Sequence, residues 1–370
     1  MMKACGLYIH IPFCRSKCAY CDFASFAGRE KDMIPYVEKL KEEIREQSRE
    51  KLSISTLFIG GGTPSLLPPE LMEDLLSCLH EHFSFLPDAE CTCECNPGTL
   101  TDSFLSVLKK GGMNRLSMGA QASQPSLLSL LGRIHSWEQV EESVRLAQKH
   151  GFSNINLDLM LGLPGQTLAQ VEETLEKALS LSPTHLSCYG LIVEEGTKMH
   201  AMVEKGQWQL PDEELERSMY ECCRNILHAH GFVQYEISNF SLPGFACRHN
   251  TDCWKRKEYI GLGSAACGFL QEKRYQNPPS LSDYLAGKPA EITPVSPKDA
   301  RFESVMLGLR MMEGISDAEF QAMHGMSLDE AFGEKLEKPI RQGLLIWENG
   351  RLRLTRRGMD VQNSVLVEFL

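Results

Sequence analysis

The sequence predicts an α/β protein: a partial parallel β/α barrel of six units, a flanking α+β region and a small winged-helix-like module at the C-terminus. Two observations predict this fold. Short apolar runs of strand length alternate with amphipathic stretches of helix length through the first half of the chain. Six such pairs are fewer than the eight of a closed barrel, so we expect the sheet to remain open on one side.

Each barrel unit is predicted to contain a strand and, in most cases, a helix that follows it. The predicted strands cover residues 7–10, 56–60, 91–96, 115–119, 154–160 and 185–189. The predicted helices cover residues 34–50, 69–82, 103–111, 137–150 and 168–180. Polar residues such as Tyr8, Glu94 and Asp158 recur on one strand face with a period of two. A barrel packed only for stability fills its interior with Val, Ile and Leu, so this polar face predicts a cofactor cavity.

The pattern changes twice after the barrel, which predicts three domains at residues 1–200, 201–295 and 296–370. The middle part has one long helix near residues 212–230 and then an irregular stretch that we expect to cover the barrel mouth. In the last part, Ser316 with Glu319 forms a capping-box pattern, and Asn349-Gly350 indicates a type I′ turn between strands at 344–346 and 352–354. Its charge is balanced, which favours packing or a protein partner over DNA.

Composition narrows the functional classes. The formal net charge of −11 argues against a nucleic-acid partner, because phosphate binding needs a basic surface. Fourteen cysteines without a secretory signal indicate a reducing compartment, so we predict a cytoplasmic protein. The sequence contains no apolar run long enough for a transmembrane segment, and peripheral contact with a membrane stays open.

The strongest motif is the group Cys14, Cys18 and Cys21, which lies just past the first strand. Three thiolates can bind three irons of a 4Fe-4S cluster and leave the fourth iron open. The amino and carboxylate groups of a sulfonium cofactor could chelate that open iron. The alternatives are a three-cysteine zinc site or chance clustering, and no fourth ligand lies at zinc-finger spacing.

The stretch from Tyr8 through Cys21 resembles the radical S-adenosylmethionine (radical SAM) superfamily. More narrowly, it is similar to the branch that contains oxygen-independent coproporphyrinogen III dehydrogenase and the haem chaperone HemW. The resemblance covers residues 5 to about 275 and implies a (β/α)6 barrel of the TIM type, in agreement with the count of units. It implies a 4Fe-4S cluster held by the three cysteines and S-adenosyl-L-methionine as cofactors, and it assigns Tyr8 and Tyr20 to cofactor binding.

Several motifs at the ends of later strands extend this resemblance. Gly60-Gly61-Gly62-Thr63 follows the second strand, where glycines let a ligand approach the backbone, although a tight turn is the alternative. Glu94 should face the cavity while its neighbours Cys91, Cys93 and Cys95 face the helices as buried hydrophobes. A structural ion pair is the alternative for Arg133 and Asp158. The resemblance assigns these positions to the cofactor site: Gly61, Gly62, Thr63, Glu94, Gln121, Arg133 and Asp158.

Two features distinguish the branches of the family. Decarboxylating relatives carry a further cysteine two residues after the third ligand, where this chain has Phe23. The stretch from Arg248 to Trp254 resembles an HNxxYW element associated with haem binding, so His249 is the candidate axial ligand. Cys253 and Cys267 stand where the family has Tyr and His, and they offer thiolate alternatives.

The sequence therefore predicts a HemW-like haem chaperone that binds haem besides the cluster and S-adenosylmethionine. Its expected partners are haem-acceptor proteins, with respiratory proteins among the candidates, and a small electron-donor protein. One alternative is a coproporphyrinogen III dehydrogenase, which Phe23 argues against, and another is a non-catalytic iron-sulfur interaction protein. Whether the chain is an enzyme stays open.

Overall fold

The computed structural model describes residues 4–48 and 52–370. Residues 1–3, on which the predicted lack of a leader depends, lie outside these ranges. Glu50, the predicted end of the first helix, lies outside them too. The strands in chain order are β1 (Ala4–Ile11), β2 (Phe13–Cys14), β3 (Phe26–Ala27), β4 (Ser53–Gly61), β5 (Ser84–Cys95), β6 (Arg115–Gln121), β7 (Asn154–Leu161), β8 (His185–Gly190), β9 (Val233–Gln234), β10 (Asn239–Ser241), β11 (Tyr259–Leu262), β12 (Cys267–Leu270), β13 (Lys273–Gln276), β14 (Glu291–Pro294), β15 (Ile315–Ser316), β16 (Leu345–Glu348) and β17 (Arg351–Leu354).

The helices surround the sheet and build the C-terminal module. In chain order they are α1 (Met33–Gln47), α2 (Pro69–His82), α3 (Asp102–Lys110), α4 (Pro125–Leu131), α5 (Trp137–Lys149), α6 (Leu168–Ser180), α7 (Lys198–Glu204), α8 (Glu213–Ala229), α9 (Arg248–Trp254), α10 (Leu281–Leu285), α11 (Pro297–Gly308), α12 (Asp317–His324), α13 (Leu328–Arg341), α14 (Arg356–Asp360) and α15 (Gln362–Val367). No helix among the described residues is both long enough and apolar enough to cross a bilayer.

One large sheet organises the molecule, in the order β14-β13-β12-β11-β1-β4-β5-β6-β7-β8-β10-β9. Strands β1, β4, β5, β6, β7 and β8 are parallel and are the six barrel strands that the sequence predicts. Strand β11 adds a seventh parallel strand beside β1, and antiparallel strands continue the sheet beyond β11 and beyond β8. The barrel is therefore partial, as predicted.

Alternation along the strands divides the interior from the core. In β1, Leu7 and Ile9 are fully buried under the helices, while Tyr8 and His10 point the other way. In β5, Cys91, Cys93 and Cys95 belong to the same apolar core, which confirms their prediction as small buried hydrophobes. This alternation leaves the polar face of the sheet free to line a cavity.

Local sequence fixes the helices that cover the sheet. In α3, the Thr101 side chain accepts a hydrogen bond from the backbone N–H of Phe104, which satisfies one of the free donors of the first turn. Leu105 and Leu108 recur at helical spacing and are fully buried against the sheet. Burial of a leucine contributes about 1.5–3 kcal/mol. Helix α4 was not predicted, because its apolar run Pro125–Leu131 lacks a capping signal.

Residues 201–295 require a correction. Instead of only covering the mouth, they extend the sheet at both edges, since β10 pairs with β8 and β11 pairs with β1. Helix α9 lies at the opposite end of the barrel, where His249 contacts Thr56 near the beginning of β4. Helix α9 lies there because its polar groups, such as the His249 side chain, pack against the N-terminal halves of the strands. The domain boundaries remain predictions.

The C-terminal module has its own apolar core, which includes Leu309, Phe320 and Leu352. Strands β16 and β17 form the predicted hairpin, and Asn349 and Gly350 both have positive φ angles of 52° and 73°, as a type I′ turn requires. The Ser316 side chain caps α12, but Glu319 lies 3.7 Å from Arg351 instead of completing the predicted capping box. The ion pair with Arg351 therefore competes with the capping contact for the Glu319 carboxylate.

Candidate cofactor site

The C-terminal ends of the barrel strands surround a cavity of about 330 Å³. This is within the range of small-molecule sites, and in β/α barrels the active site lies at this end. The cavity is lined by all three predicted cluster ligands and by eight of the predicted cofactor residues. They are Cys14, Cys18, Cys21, and then Tyr20, Gly61, Gly62, Thr63, Glu94, Gln121, Arg133 and Asp158. Tyr8 and His249 are not among its lining residues.

The cysteine loop runs between β2 and β3, which pair with each other just past the end of β1. The thiols of Cys14, Cys18 and Cys21 are free and partly exposed. The backbone N–H of Ala19 donates to Leu131 at 2.8 Å, which ties the middle of the loop to the end of α4. The loop is thereby held across the mouth of the cavity.

The three thiols line the same cavity and have different neighbours. Cys14 Sγ lies 3.6 Å from Thr63 Oγ1, and Arg133 donates to Cys18 Sγ at 3.6 Å. Burial raises the pKa of the Cys21 thiol. Within residues 4–48 and 52–370, no three Cys, His, Asp or Glu side chains are grouped to hold a single metal ion. In a cubane each thiolate would bind a different iron, so the three thiols need not meet at one metal ion.

The loop at the end of β4 requires glycine, because a side chain would clash with its neighbours at Gly61 and Gly62. Gly61 has a φ of 109°, and a Cβ at this position would lie 2.5 Å from the His10 ring. A Cβ at Gly62 would lie 2.7 Å from the carbonyl oxygen of Phe13. The backbone of this loop therefore packs directly against β1 and the cysteine loop, and it exposes peptide groups to the cavity.

Glu94 and Asp158 are the two carboxylates of the cavity. The backbone N–H of Gly61 donates to Glu94 Oε2 at 3.0 Å. Burial, with the charge of Asp158 as a second cause, raises the pKa of Glu94 to about 7. Asp158 accepts a hydrogen bond of 2.8 Å from Asn156, and burial raises its pKa as well. A cationic ligand would favour the ionised form of both carboxyl groups.

Arg133 crosses the cavity and connects three parts of its wall. Its guanidinium donates to the carbonyl oxygen of Gly119 at 2.6 Å and to the side chain of Asn96, besides the thiol of Cys18. An arginine with several fixed acceptors is held in one orientation. It lies beside the cysteine loop but makes no ion pair with Asp158 in the described contacts, so the predicted ion-pair alternative is not supported.

Gln121 ends β6 in a strained conformation. Its φ is 67°, which places a non-glycine residue in the left-handed region, and the pairing of β6 with β7 is irregular at this point. Its side-chain oxygen accepts a hydrogen bond of 3.1 Å from the Tyr189 hydroxyl. Strain of this kind is typical of functional sites, where a side chain is directed toward a ligand. Tyr20 lies in the same wall, and burial raises its pKa.

Family models match most of the chain. The radical SAM superfamily model matches residues 8–178, and the HemN C-terminal domain model matches residues 295–361. Haem chaperone HemW of Lactococcus lactis subsp. lactis is 37% identical, and the alignment covers 100% of this chain and 98% of that protein. HemW of Bacillus subtilis is 37% identical with 98% of each chain covered, and HemW of Escherichia coli is 35% identical with 99% and 98% covered.

The chain belongs to the HemW family of the radical SAM superfamily. The predicted resemblance is thus confirmed. Among solved structures, coproporphyrinogen III oxidase (HemN) from Escherichia coli has a TM-score of 0.86 at 22% identity, covering 100% of this chain and 90% of that one. At this identity the likeness shows the fold, and it confirms the predicted α/β class. Membership in the radical SAM superfamily implies a 4Fe-4S cluster and S-adenosylmethionine as cofactors.

His249, the predicted axial ligand, is buried away from the cluster cavity in this HemW-family chain. The imidazole is only 6% exposed, its Nδ1 lies 2.9 Å from Thr56 Oγ1, and its ring stacks on Phe58 at 5.2 Å. Burial, and then the charge of Arg115, lowers its pKa to about 4. The backbone N–H of His249 donates to Glu90 at 3.0 Å, so α9 is anchored inside the lower barrel.

Tyr8 is placed below the cavity. Its hydroxyl lies 2.9 Å from His10 Nδ1, and the other ring nitrogen of His10 lies 2.9 Å from the carbonyl oxygen of Ala24. Burial raises the pKa of Tyr8, and the nearby Glu94 charge adds to this effect. Tyr8 and His10 therefore support the cysteine loop and the glycine loop from beneath.

Sequence reasoning missed several lining residues. Asn96, which holds Arg133, could have been found from its position at the end of a strand before Pro-Gly. Tyr189 and Ser117 were predicted to face inward but were not assigned to the site. Phe23 and Ile134 form an apolar rim, at 63% and 54% exposure, that no periodicity could indicate.

Proposed function

We propose that this chain is a haem chaperone, which binds a 4Fe-4S cluster and S-adenosylmethionine in the barrel and carries haem to acceptor proteins. The observation that carries the proposal is the 37% identity, over the whole chain, with proteins named haem chaperone HemW. Identity at this level extends through all three predicted parts, so it includes regions that the radical SAM barrel alone does not need.

In this proposal, Cys14, Cys18 and Cys21 each bind one iron of the cluster. The arrangement of three free thiols around one cavity supports this assignment. The fourth iron stays open for the amino and carboxylate groups of S-adenosylmethionine, and the reduced cluster supplies the electron for any cleavage of that cofactor.

We assign the cofactor contacts to the groups that face the cavity. Backbone groups of Gly61 and Gly62, with the Thr63 hydroxyl, hold the methionyl part, while Glu94 and Asp158 accept hydrogen bonds from donors such as the ammonium or ribose hydroxyls. Gln121 and Arg133 supply polar contacts from the facing wall, and Tyr20 adds an aromatic surface. Tyr8 supports these residues through His10 without contact to the cofactor.

The runner-up reaction is decarboxylation of coproporphyrinogen III. Phe23 supports the chaperone instead, because its side chain is apolar and cannot replace the thiol that decarboxylating relatives carry at the matching position. We also propose that acceptor proteins receive the haem, that a small electron-donor protein is a partner and that the chain is located in the cytoplasm.

The test combines haem titration with a reaction assay on the anaerobically reconstituted protein. We expect saturable haem binding, followed by absorbance in the Soret region, and no vinyl product from coproporphyrinogen III. The matched control is Phe23→Ala, which should leave both results unchanged because Phe23 lies on the exposed rim. Absence of haem binding would refute the chaperone, and conversion of the porphyrinogen would establish the decarboxylase.

A further inference from the structure

Three polar side chains lie side by side on the inner faces of β6, β7 and β8. The strand register pairs Ser117 with Asn156, and Asn156 with His185. Asn156 and His185 are almost fully buried, and neither of them lines the cluster cavity. Asp158, two residues further along β7, does line it. The polar row therefore lies directly beneath a carboxylate of the cavity.

Asn156 connects this row to Asp158. Its side-chain nitrogen donates to Asp158 Oδ1 at 2.8 Å and to Ser117 Oγ at 2.7 Å. Its side-chain oxygen accepts a hydrogen bond of 3.2 Å from Ser187 and lies 2.6 Å from Nδ1 of His185. Because a carboxylate can only accept hydrogen bonds, the amide presents its nitrogen to Asp158 and its oxygen to His185.

The neighbours of His185 determine which ring nitrogen carries the proton. The Asn156 oxygen is an acceptor, so Nδ1 of the imidazole carries the hydrogen. Nε2 then accepts a hydrogen bond of 2.8 Å from the Tyr235 hydroxyl. The hydroxyl oxygen in turn accepts from the backbone N–H of Cys247, the residue before α9, at 3.2 Å. Burial, and then the charge of Arg115, lowers the pKa of His185, which favours the neutral ring.

These contacts form one linear hydrogen-bond network from Cys247 at the start of α9 to Asp158 in the cavity. Every link has its donor on the α9 side and its acceptor on the cavity side. Reversing a single link would bring two hydrogens or two lone pairs face to face at the next one, which is costly among buried groups. An isolated amide could turn either way, so the network decides which atom of Asn156 meets Asp158.

We propose that His185 and Tyr235 are positioning residues for S-adenosylmethionine, because they hold the Asn156 amide in the orientation that donates to Asp158. The inference rests on the proposed function, in which Asp158 accepts hydrogen bonds from this cofactor. With Oδ1 held by Asn156, the carboxylate has one fixed orientation and meets the donors of the cofactor without rearrangement. A turned amide would present its oxygen to the carboxylate and repel it.

Calorimetry with S-adenosylmethionine on the full, cluster-reconstituted chain tests this network. Tyr235→Phe removes only a hydroxyl, and we expect the Kd to rise about fivefold, as for the loss of one buried hydrogen bond. Tyr220→Phe is the matched control and should leave the Kd unchanged, because its hydroxyl donates at 2.8 Å to the carbonyl oxygen of Ile237 instead. In an Asp158→Asn background, Tyr235→Phe should have no further effect, since the carboxylate that it positions is gone.

Two substitutions at His185 separate positioning from packing. His185→Asn keeps an N–H at the δ position that can donate to Asn156, whereas His185→Leu has no donor. Leucine is closer to histidine in volume, so a packing role predicts tighter binding by the leucine variant. A positioning role predicts the opposite order, and we expect the Kd of His185→Leu to exceed that of His185→Asn about threefold.

The outcomes separate this inference from the proposed function. If the wild type binds no S-adenosylmethionine, the proposed cofactor site itself fails. If Asp158→Asn retains the wild-type Kd, the assignment of Asp158 to the cofactor fails and the inference fails with it. If Asp158→Asn weakens binding but Tyr235→Phe behaves like Tyr220→Phe, the positioning role is refuted and the proposed function stands. The role is also refuted if Tyr235→Phe has its full effect in the Asp158→Asn background, or if His185→Leu binds more tightly than His185→Asn.

Discussion

Burial is the main cause of the raised pKa of the two carboxyl groups that face the cluster cavity. Glu94 and Asp158 face the same space, and after burial itself the charge of Asp158 is the second cause that raises the pKa of Glu94. Arg133 lies nearby, but its two terminal nitrogens donate to Cys18, Asn96 and Gly119. A cationic ligand would offset this repulsion, so the two carboxyl groups favour a ligand that carries positive charge.

Glu94 should make stability depend on pH. Its pKa is about 7 in the folded chain, against 4.5 for the ordinary group, so the folded state holds a proton that the unfolded state releases. The contribution of Glu94 to the free energy of unfolding therefore falls as pH rises from about 4.5 to about 7. Glu94→Gln removes this loss, and its stability relative to wild type should increase across that window.

Urea unfolding of the cofactor-free protein at several pH values checks this expectation. Glu334→Gln, on the exposed surface of α13, is the matched control and should show no such trend. A difference between Glu94→Gln and wild type that stays constant over the window would contradict the raised pKa.

The cluster ligands should be individually necessary. Replacing Cys14, Cys18 or Cys21 by Ser removes one of three iron-bound thiolates, so we expect iron content to fall from about four per chain to near zero after reconstitution. Cys222→Ser, which changes a partly buried thiol in α8, should retain the iron and the cluster absorbance. Full iron content in a variant that lacks all three thiols would disprove the assignment.

At the scale of elements, the strand ends and α9 divide the barrel interior into two levels. The upper level has glycines and the strained Gln121, which direct groups toward the cofactor cavity. The lower level is closed by α9, whose backbone N–H groups at Arg248 and His249 donate to the Glu90 carboxylate at 2.9 and 3.0 Å. A carboxylate at a helix N-terminus stabilises that helix and also seals the barrel.

His249 should therefore act in stability. In His249→Ala, the Thr56 hydroxyl loses its partner and Phe58 loses its stacked ring, so we expect about 2–4 kcal/mol less free energy of unfolding. The exposed His228→Ala should change it by less than about 0.5 kcal/mol. Urea denaturation measures both. Equal stability of the two variants would mean that His249 is free to act elsewhere.

At the scale of the whole molecule, charged side chains fasten the C-terminal module to the large sheet. Glu303 of α11 accepts hydrogen bonds of 2.8 Å from both Arg256 and Arg274. Arg256 also pairs with Glu272, and its guanidinium lies 4.5 Å over Phe269. The side chains of Arg256 and Glu303 are only 2% and 16% exposed, so their ion pair is shielded from solvent, whereas Glu272 is 58% exposed. The shielded pair joins α11 to the sheet.

Loss of Arg256 should destabilise this junction strongly. Arg256→Met keeps the apolar stem but leaves Glu303 with one partner fewer, and we expect a loss of about 3 kcal/mol in the free energy of unfolding. The matched control is Lys110→Met, which breaks the exposed pair with Glu73 and should cost less than about 1 kcal/mol. Calorimetric or urea unfolding measures the loss of unfolding free energy in both variants. Similar losses in the two would contradict this expectation.

The sequence by itself determined the βα alternation, the cysteine loop and the polar strand ends, because period and spacing directly encode which face of a strand is buried. These patterns predicted the barrel and its polar interior, and the resemblance to the radical SAM superfamily supplied the residues assigned to the cavity. Only the tertiary structure decided that His249 turns inward and that Asn96 holds Arg133. These placements depend on contacts between segments distant in the chain, such as Thr56 with His249, and no local pattern carries that information.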